Sequence, residues 1–154
     1  SITHGHERAK CACYYYVKFA MHLLQGYNKQ QVYDIVKSQF PSISHELECV
    51  FQRLINHNIA DLPSSEIQSD SYVVHSLEAA IWCLMTSNSY KETVLKAVNL
   101  GGDSDSTAAI AGGLAGILYG LDDVPDHWMD SIARKDDIEE LANDFTYAFL
   151  NWYV

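Results

Sequence analysis

The sequence predicts an all-α protein, a multi-helix bundle. Three observations carry that expectation. Apolar residues recur at helical spacing in one segment after another, no segment sustains the period-two alternation of a strand, and helix caps and stops separate the segments. About seven helices result.

Ser1–His6 reads SITHGH, a polar and irregular lead-in. His4 and His6 alternate there, but two histidines alone do not make a metal site, so a hydrogen-bonded or ligand-contacting role for His4 is preferred. The first helix runs from about Glu7 to Gln25, with Ala12, Tyr15, Tyr16, Phe19, Ala20 and Leu23 at helical spacing, and Gly26 ends it. Asn28 with Gln31 resembles a capping box, opening a helix that Pro41 stops. A third helix starts near Ser42 or Ser44 and carries Leu47, Val50, Phe51 and Leu54. Asn56–Asp70 is polar, with Pro63 and two serines, and reads as the longest loop. From Ser71 the run SYVVHSLEAAIWCLMTS has an apolar stripe at Val74, Leu77, Ala80, Ile81 and Leu84, with His75 as a satisfied helix residue. Ser89 and Glu92 form a second capping box. After a glycine-rich central helix, Pro125 opens a short turn around His127 and Trp128. Asp136 with Glu139 opens a last amphipathic helix through Ile138, Leu141, Phe145 and Phe149.

A chain of 154 residues, 48% hydrophobic, fits one globular domain spanning 1–154. The formal net charge of -10 argues against nucleic-acid partners and anionic membranes, though not against a local phosphate pocket. Cys11, Cys13, Cys49 and Cys83 lack CxxC spacing and read as reduced, buried thiols in a cytoplasmic protein rather than a zinc site. No signal peptide, lipidation motif or transmembrane run stands out, and the apolar run Ala108–Leu121 is too short to cross a bilayer. The start at Ser1 without Met fits a processed or trimmed chain.

The most informative stretch is NLGGDSDSTAAIAGGLAGILYG, Asn99 to Gly120. Two glycines precede Asp103 and Asp105, which are interleaved with the hydroxyls of Ser104, Ser106 and Thr107. A loop turning into a helix places these oxygens at a helix N-terminus. Two readings stand: a helix cap, or a hard-oxygen site suited to Mg²⁺, Mn²⁺ or Ca²⁺. An EF-hand is excluded, because its Gly would fall on Ala108 and its Glu on Leu114. A P-loop is excluded because no Gly-Lys-Ser/Thr follows. Ala108, Gly112, Gly116 and Gly120 fall on one face, which predicts close approach of a neighbouring backbone and a central position for this helix.

GGDSDSTAAIAGGLAGILYG resembles the signature GGDTDT-x-AAIAGALAGAYYG of the ADP-ribosylglycohydrolases. SYVVHSLEAAIWCL is similar to that family's GYVVETLEAALWAF, and SITHGHERA to its THxxP/A lead into a helix. The resemblance covers nearly the whole chain, with Asn56–Asp70 the weakest part. It implies an all-α bundle around a binuclear Mg²⁺ or Mn²⁺ site. Asp103, Asp105 and Ser106 would be metal ligands, Ser106 standing where Thr is usual. His4, Tyr72, Gly101, Gly102 and Ser104 would line an ADP-ribose cleft, with Ser71 where Gly is common. The implied reaction is hydrolysis of an ADP-ribosyl bond through an oxocarbenium-like state.

The family's remaining ligands, a Thr-Asp-Asp run, and its acidic catalytic residues belong to its N-terminal half, and no T-D-D occurs here. The chain therefore reads as the C-terminal half of such a protein, with the general base elsewhere. A partner follows from that reading, either a separate N-terminal half or a second copy covering exposed apolar faces. Two functions compete: a metal-dependent hydrolase removing ADP-ribose from proteins or small acceptors, and a non-catalytic ADP-ribose-binding or crystallin-like structural member.

Overall fold

The computed structural model describes residues 3–152, and the ends of the SITHGH lead-in and of the chain lie outside them. The chain divides after Asp123 into two compact units. The first contains α1 (Glu7–Leu24), α2 (Lys29–Ser38), α3 (His45–Ile55), α4 (Val73–Met85), α5 (Tyr90–Asn99) and α6 (Ser104–Tyr119). The second contains α7 (Asp126–Met129) and α8 (Lys135–Trp152). Among the described residues there is no strand. The structure thus adds an eighth helix to the expected number and puts two single turns, Ile59–Asp61 and Ser64–Glu66, into the expected long loop.

Local chemistry sets the helix starts. The Asn28 side chain accepts from the Gln31 amide and the Gln31 side chain accepts from the Asn28 amide, completing a capping box. Ser44 accepts from Leu47 N–H and Ser89 from Glu92 N–H. The second box is only half formed, because Glu92 turns to the amide of Asn88 instead of Ser89.

α4 lies at the centre of the first unit, packed against α1, α2, α3, α5 and α6. All of its residues except Val73 and His75 are buried. A helix that is apolar nearly all round has no face to give to water, and burial of each large side chain contributes about 1.5–3 kcal/mol. Its one acid, Glu78, faces Arg53 at 3.6 Å, and the Trp82 indole donates to Leu62 O at 2.9 Å. Burial pushes the Glu78 carboxyl up, against the pull of Arg53.

This corrects the expectation for the glycine helix. α6 packs on α1, α4 and α5, but α4 holds the central place. Its glycines admit tyrosine side chains, not a neighbouring backbone. A Cβ on Gly113 would fall 2.5 Å from the Tyr16 hydroxyl, and one on Gly112 would fall 3.4 Å from that of Tyr90. Tyr16 Oη donates to Ile110 O across this gap. The cysteine expectation also needs correction. Only Cys83 is fully buried, its thiol pushed up to about 12 by desolvation, while Cys13 and Cys49 are exposed.

The C-terminal end of α4 is held from three sides. Lys29 of α2 donates to Leu84 O and Ser87 O, Lys96 of α5 to Thr86 O, and Tyr119 of α6 to Ser87 O. These donors satisfy carbonyls that a helix end leaves open.

In the second unit, Asp126–Met129 forms the expected turn after Pro125. α8 carries Ile138, Leu141, Phe145 and Phe149 as exposed residues, with the Phe145 and Phe149 rings stacked at 6.5 Å.

Candidate functional site

The N-terminal ends of α4 and α6 are joined by two short polar segments, Ser69–Tyr72 and Gly101–Ser104. Gly101 and Gly102 have φ of +77° and +60°, the left-handed region that glycine tolerates. Gly102 has a second reason to be glycine. A Cβ there would fall 2.5 Å from Ser69 O. That close approach lets the Asp103 amide donate to Ser69 O at 2.7 Å, and the Ser69 hydroxyl donates back to Gly101 O at 3.1 Å.

Asp103 is the N-cap residue of α6, yet no hydrogen bond of capping geometry leaves its side chain. The Ser106 amide nevertheless reaches this carboxylate, so Asp103 serves both readings, helix cap and cation ligand. The Ser106 hydroxyl, then a hydrogen bond with Asp105, then the Ser71 hydroxyl hold the Asp103 carboxyl below its ordinary range, with the Ser106 amide adding least. Asp103 and Ser104 are partly exposed, and Asp105 and Ser106 are exposed.

Two adjoining cavities open beside this cluster. One of about 430 Å³ is lined by Asp103, Ser106, Ser71, Ser76, Tyr16 and Ile110, among others. The other, about 860 Å³, is lined by His4, His6, Arg8, Lys10, Tyr72 and Lys18, among others. Ser71, Val73, Cys13 and Val17 border both. The larger volume is that of a small-molecule site, and three cations border it in a chain of net charge -10.

The structure thus brings His4 and Tyr72 to one cavity and Asp103 and Ser106 to the next. Asp105 reaches the cluster through Asp103. Gly101, Gly102 and Ser104 line neither cavity, and the two glycines shape the loop instead. Sequence reasoning missed Ser69, Asp70 and Arg8, and read His75 as a satisfied helix residue, which its bond to Asp70 makes it. Asp70 Oδ1 accepts from the Tyr72 amide and pairs with His75 Nδ1, each at 2.9 Å. These contacts, the Tyr72 amide first, hold the Asp70 carboxyl below its ordinary range. The Arg8 guanidinium lies 6.0 Å from the Tyr72 ring centre.

Two carboxylates and a hydroxyl, exposed or partly exposed, fit a hard divalent cation by donor chemistry. They do not complete a coordination sphere. Among the described residues no group of three or more His, Cys, Asp or Glu gathers as a metal site.

The sequence profile of the ADP-ribosylglycohydrolase family matches residues 1–153. The chain belongs to that family. It is 44% identical over 79 residues to an ADP-ribosylarginine hydrolase of Pseudomonas putida, covering 51% of this chain and 21% of the relative. It is 27% identical over 134 residues to the ADP-ribosyl-[dinitrogen reductase] glycohydrolase of Rhodospirillum rubrum, covering 87% and 41%. The human ADP-ribosylhydrolase ARH3 is 30% identical over 96 residues, covering 55% and 26%. The chain spans less than half the length of these glycohydrolase relatives. Among the described residues no helix is long and apolar enough to cross a membrane.

Proposed function

We propose that this chain is part of a hydrolase that removes ADP-ribose from a modified protein or small acceptor. The observation that carries the reading is the Asp103–Asp105–Ser106 oxygen cluster, bordered through Ser71 by a cavity with cationic walls. Asp103, Asp105 and Ser106 would hold Mg²⁺ or Mn²⁺, and a bound cation of that kind orients ribose hydroxyls and activates water. Ser71 fixes the Asp103 carboxylate by donating to it. Arg8 and Lys10, paired with Glu46 at 3.2 Å and Glu7 at 2.8 Å, would exchange those carboxylates for the diphosphate, and Tyr72 offers an aromatic surface to the base or ribose. His4 borders the same space.

The remaining ligands and the general base come from another segment. Tyr14, Val17 and Met21 of α1 are exposed and line the larger cavity, which supports that segment closing the cavity's outer wall. Four free cysteines support a reducing compartment, the cytoplasm.

Calorimetric titration of the chain with ADP-ribose, with and without Mn²⁺, tests the reading. Metal-dependent binding is expected, and Asp103→Asn should abolish it, as it should abolish hydrolysis in any assembly that turns over. Equal binding by the Asp103→Asn variant would remove Asp103 from the ligand set. Metal-independent binding without turnover would favour a non-catalytic binding protein.

A further inference from the structure

The segment Ser69–Tyr72 links the Gly101–Asp103 loop, the Asp103 carboxylate and the larger cavity. Ser69 holds the Gly101–Asp103 loop through its carbonyl and hydroxyl, Ser71 donates to Asp103, and Tyr72 borders the cationic cavity. Asp70, between them, faces α4. Its Oδ1 takes the Tyr72 amide and His75 Nδ1, and its carbonyl accepts from Ser76 Oγ at 3.1 Å. Ser76 Oγ also lies 3.2 Å from Tyr72 O, and the His75 ring meets the Tyr72 ring edge-on at 4.8 Å. His75 is one of only two α4 residues that are not buried, so core packing does not require it. Ser71 on the strap and His75 in the first turn of α4 stand where the similar segment has Gly and Glu.

We propose that His75 and Asp70 are positioning residues. They tie the Ser69–Tyr72 strap to rigid α4, so that one strap sets Ser71 against Asp103 and Tyr72 against the substrate cavity. The ligand-binding part of this inference rests on the proposed function. The tie itself does not.

The test separates the two. Amide hydrogen exchange is measured on the unliganded chain for wild type, His75→Ala, His75→Asn and His75→Gln. Asparagine can place its amide nitrogen where Nδ1 lies, whereas glutamine reaches to the position of Nε2. Faster exchange at the Tyr72 and Asp103 amides is expected in His75→Ala, with the α4 and α6 interiors unchanged. His75→Asn should restore protection and His75→Gln should not. Unchanged exchange at both amides in His75→Ala, or uniform acceleration through all helices, would overturn the tie. Mn²⁺ and ADP-ribose titrations of the same variants follow. A loss of about tenfold in affinity in His75→Ala, recovered in His75→Asn, is the size expected of a group that orients a ligand without touching the metal. Undisturbed affinity in His75→Ala, with wild type binding normally, would overturn the positioning role and leave the proposed function standing. Wild type that binds neither probe would overturn the reading that this chain alone assembles a ligand site, and the exchange result would still decide the tie.

Discussion

The body of α4 and the strap that precedes it are consecutive in sequence and opposite in character. From Ser76 to Met85 every residue is buried and nearly every one apolar. From Ser69 to Ser71 every side chain carries oxygen, and the hydrogen bonds run to the Gly101 carbonyl, to the Asp103 carboxylate, to His75 and back to the Tyr72 amide. The helix interior resists change through many small dispersion contacts that nothing else can replace. The strap is held by a handful of directional bonds, each replaceable by water. Stability and recognition are therefore written in adjoining residues by different forces, and single substitutions should separate them.

The largest expected effect is on stability. Ile81, 0% exposed, sits amid the core, and Ile81→Ala should cost about 2–5 kcal/mol in denaturant unfolding while leaving ADP-ribose affinity intact in the folded population. The reverse pattern is expected at the loop. Gly102→Ala meets both a left-handed φ and the Ser69 carbonyl, so a loss of about 1–3 kcal/mol should accompany loss of Mn²⁺ binding by titration. If Ile81→Ala weakens binding as much as Gly102→Ala, the two regions are not separable.

A pH experiment sharpens the contrast inside the core. Burial raises the folded Glu78 carboxyl above its ordinary 4.5, so the unfolded chain gives up this proton first. The stability it contributes is full below that value and drains as pH rises through the folded one. Urea unfolding from pH 4.5 upward should show the advantage of wild type over Glu78→Gln shrinking. A constant difference would place Glu78 in water. The smallest effect concerns thiols. Cys13 and Cys49 should alkylate first, Cys11 more slowly because partial burial raises its thiol, and Cys83 only on unfolding, as mass spectrometry of partly labelled chain would show.

Most of the helices were legible because their signals are local. Asn28 with Gln31, Ser44, Ser89 and the Gly26 stop each act within a few residues of themselves. The oxygen cluster was legible for a like reason, because Asp103, Asp105 and Ser106 lie within four consecutive positions. What escaped was long-range. The Ser69 carbonyl meets the Asp103 amide across more than thirty residues, and no pattern in either segment announces the other. The central place of α4 over α6 escaped because glycines signal a near neighbour without saying whether it is backbone or, as here, a tyrosine ring. The exposed cysteines escaped because apolar neighbours in sequence can lie on a helix face turned outward.

The triple anchorage of Leu84, Thr86 and Ser87 has a mechanical consequence. Three side chains from three helices bolt one end of α4, while its other end carries the strap. Thirteen residues at the usual rise put the two ends of the helix about 20 Å apart. Each degree of tilt then carries Tyr72 and Ser71 sideways by about 0.3 Å, from the same rise per residue. A site held to about half an ångström tolerates little more than one degree. Lys29 and Lys96 hold the end of α4 opposite the Ser69–Tyr72 strap, so the proposed site is sensitive to contacts about 20 Å from it.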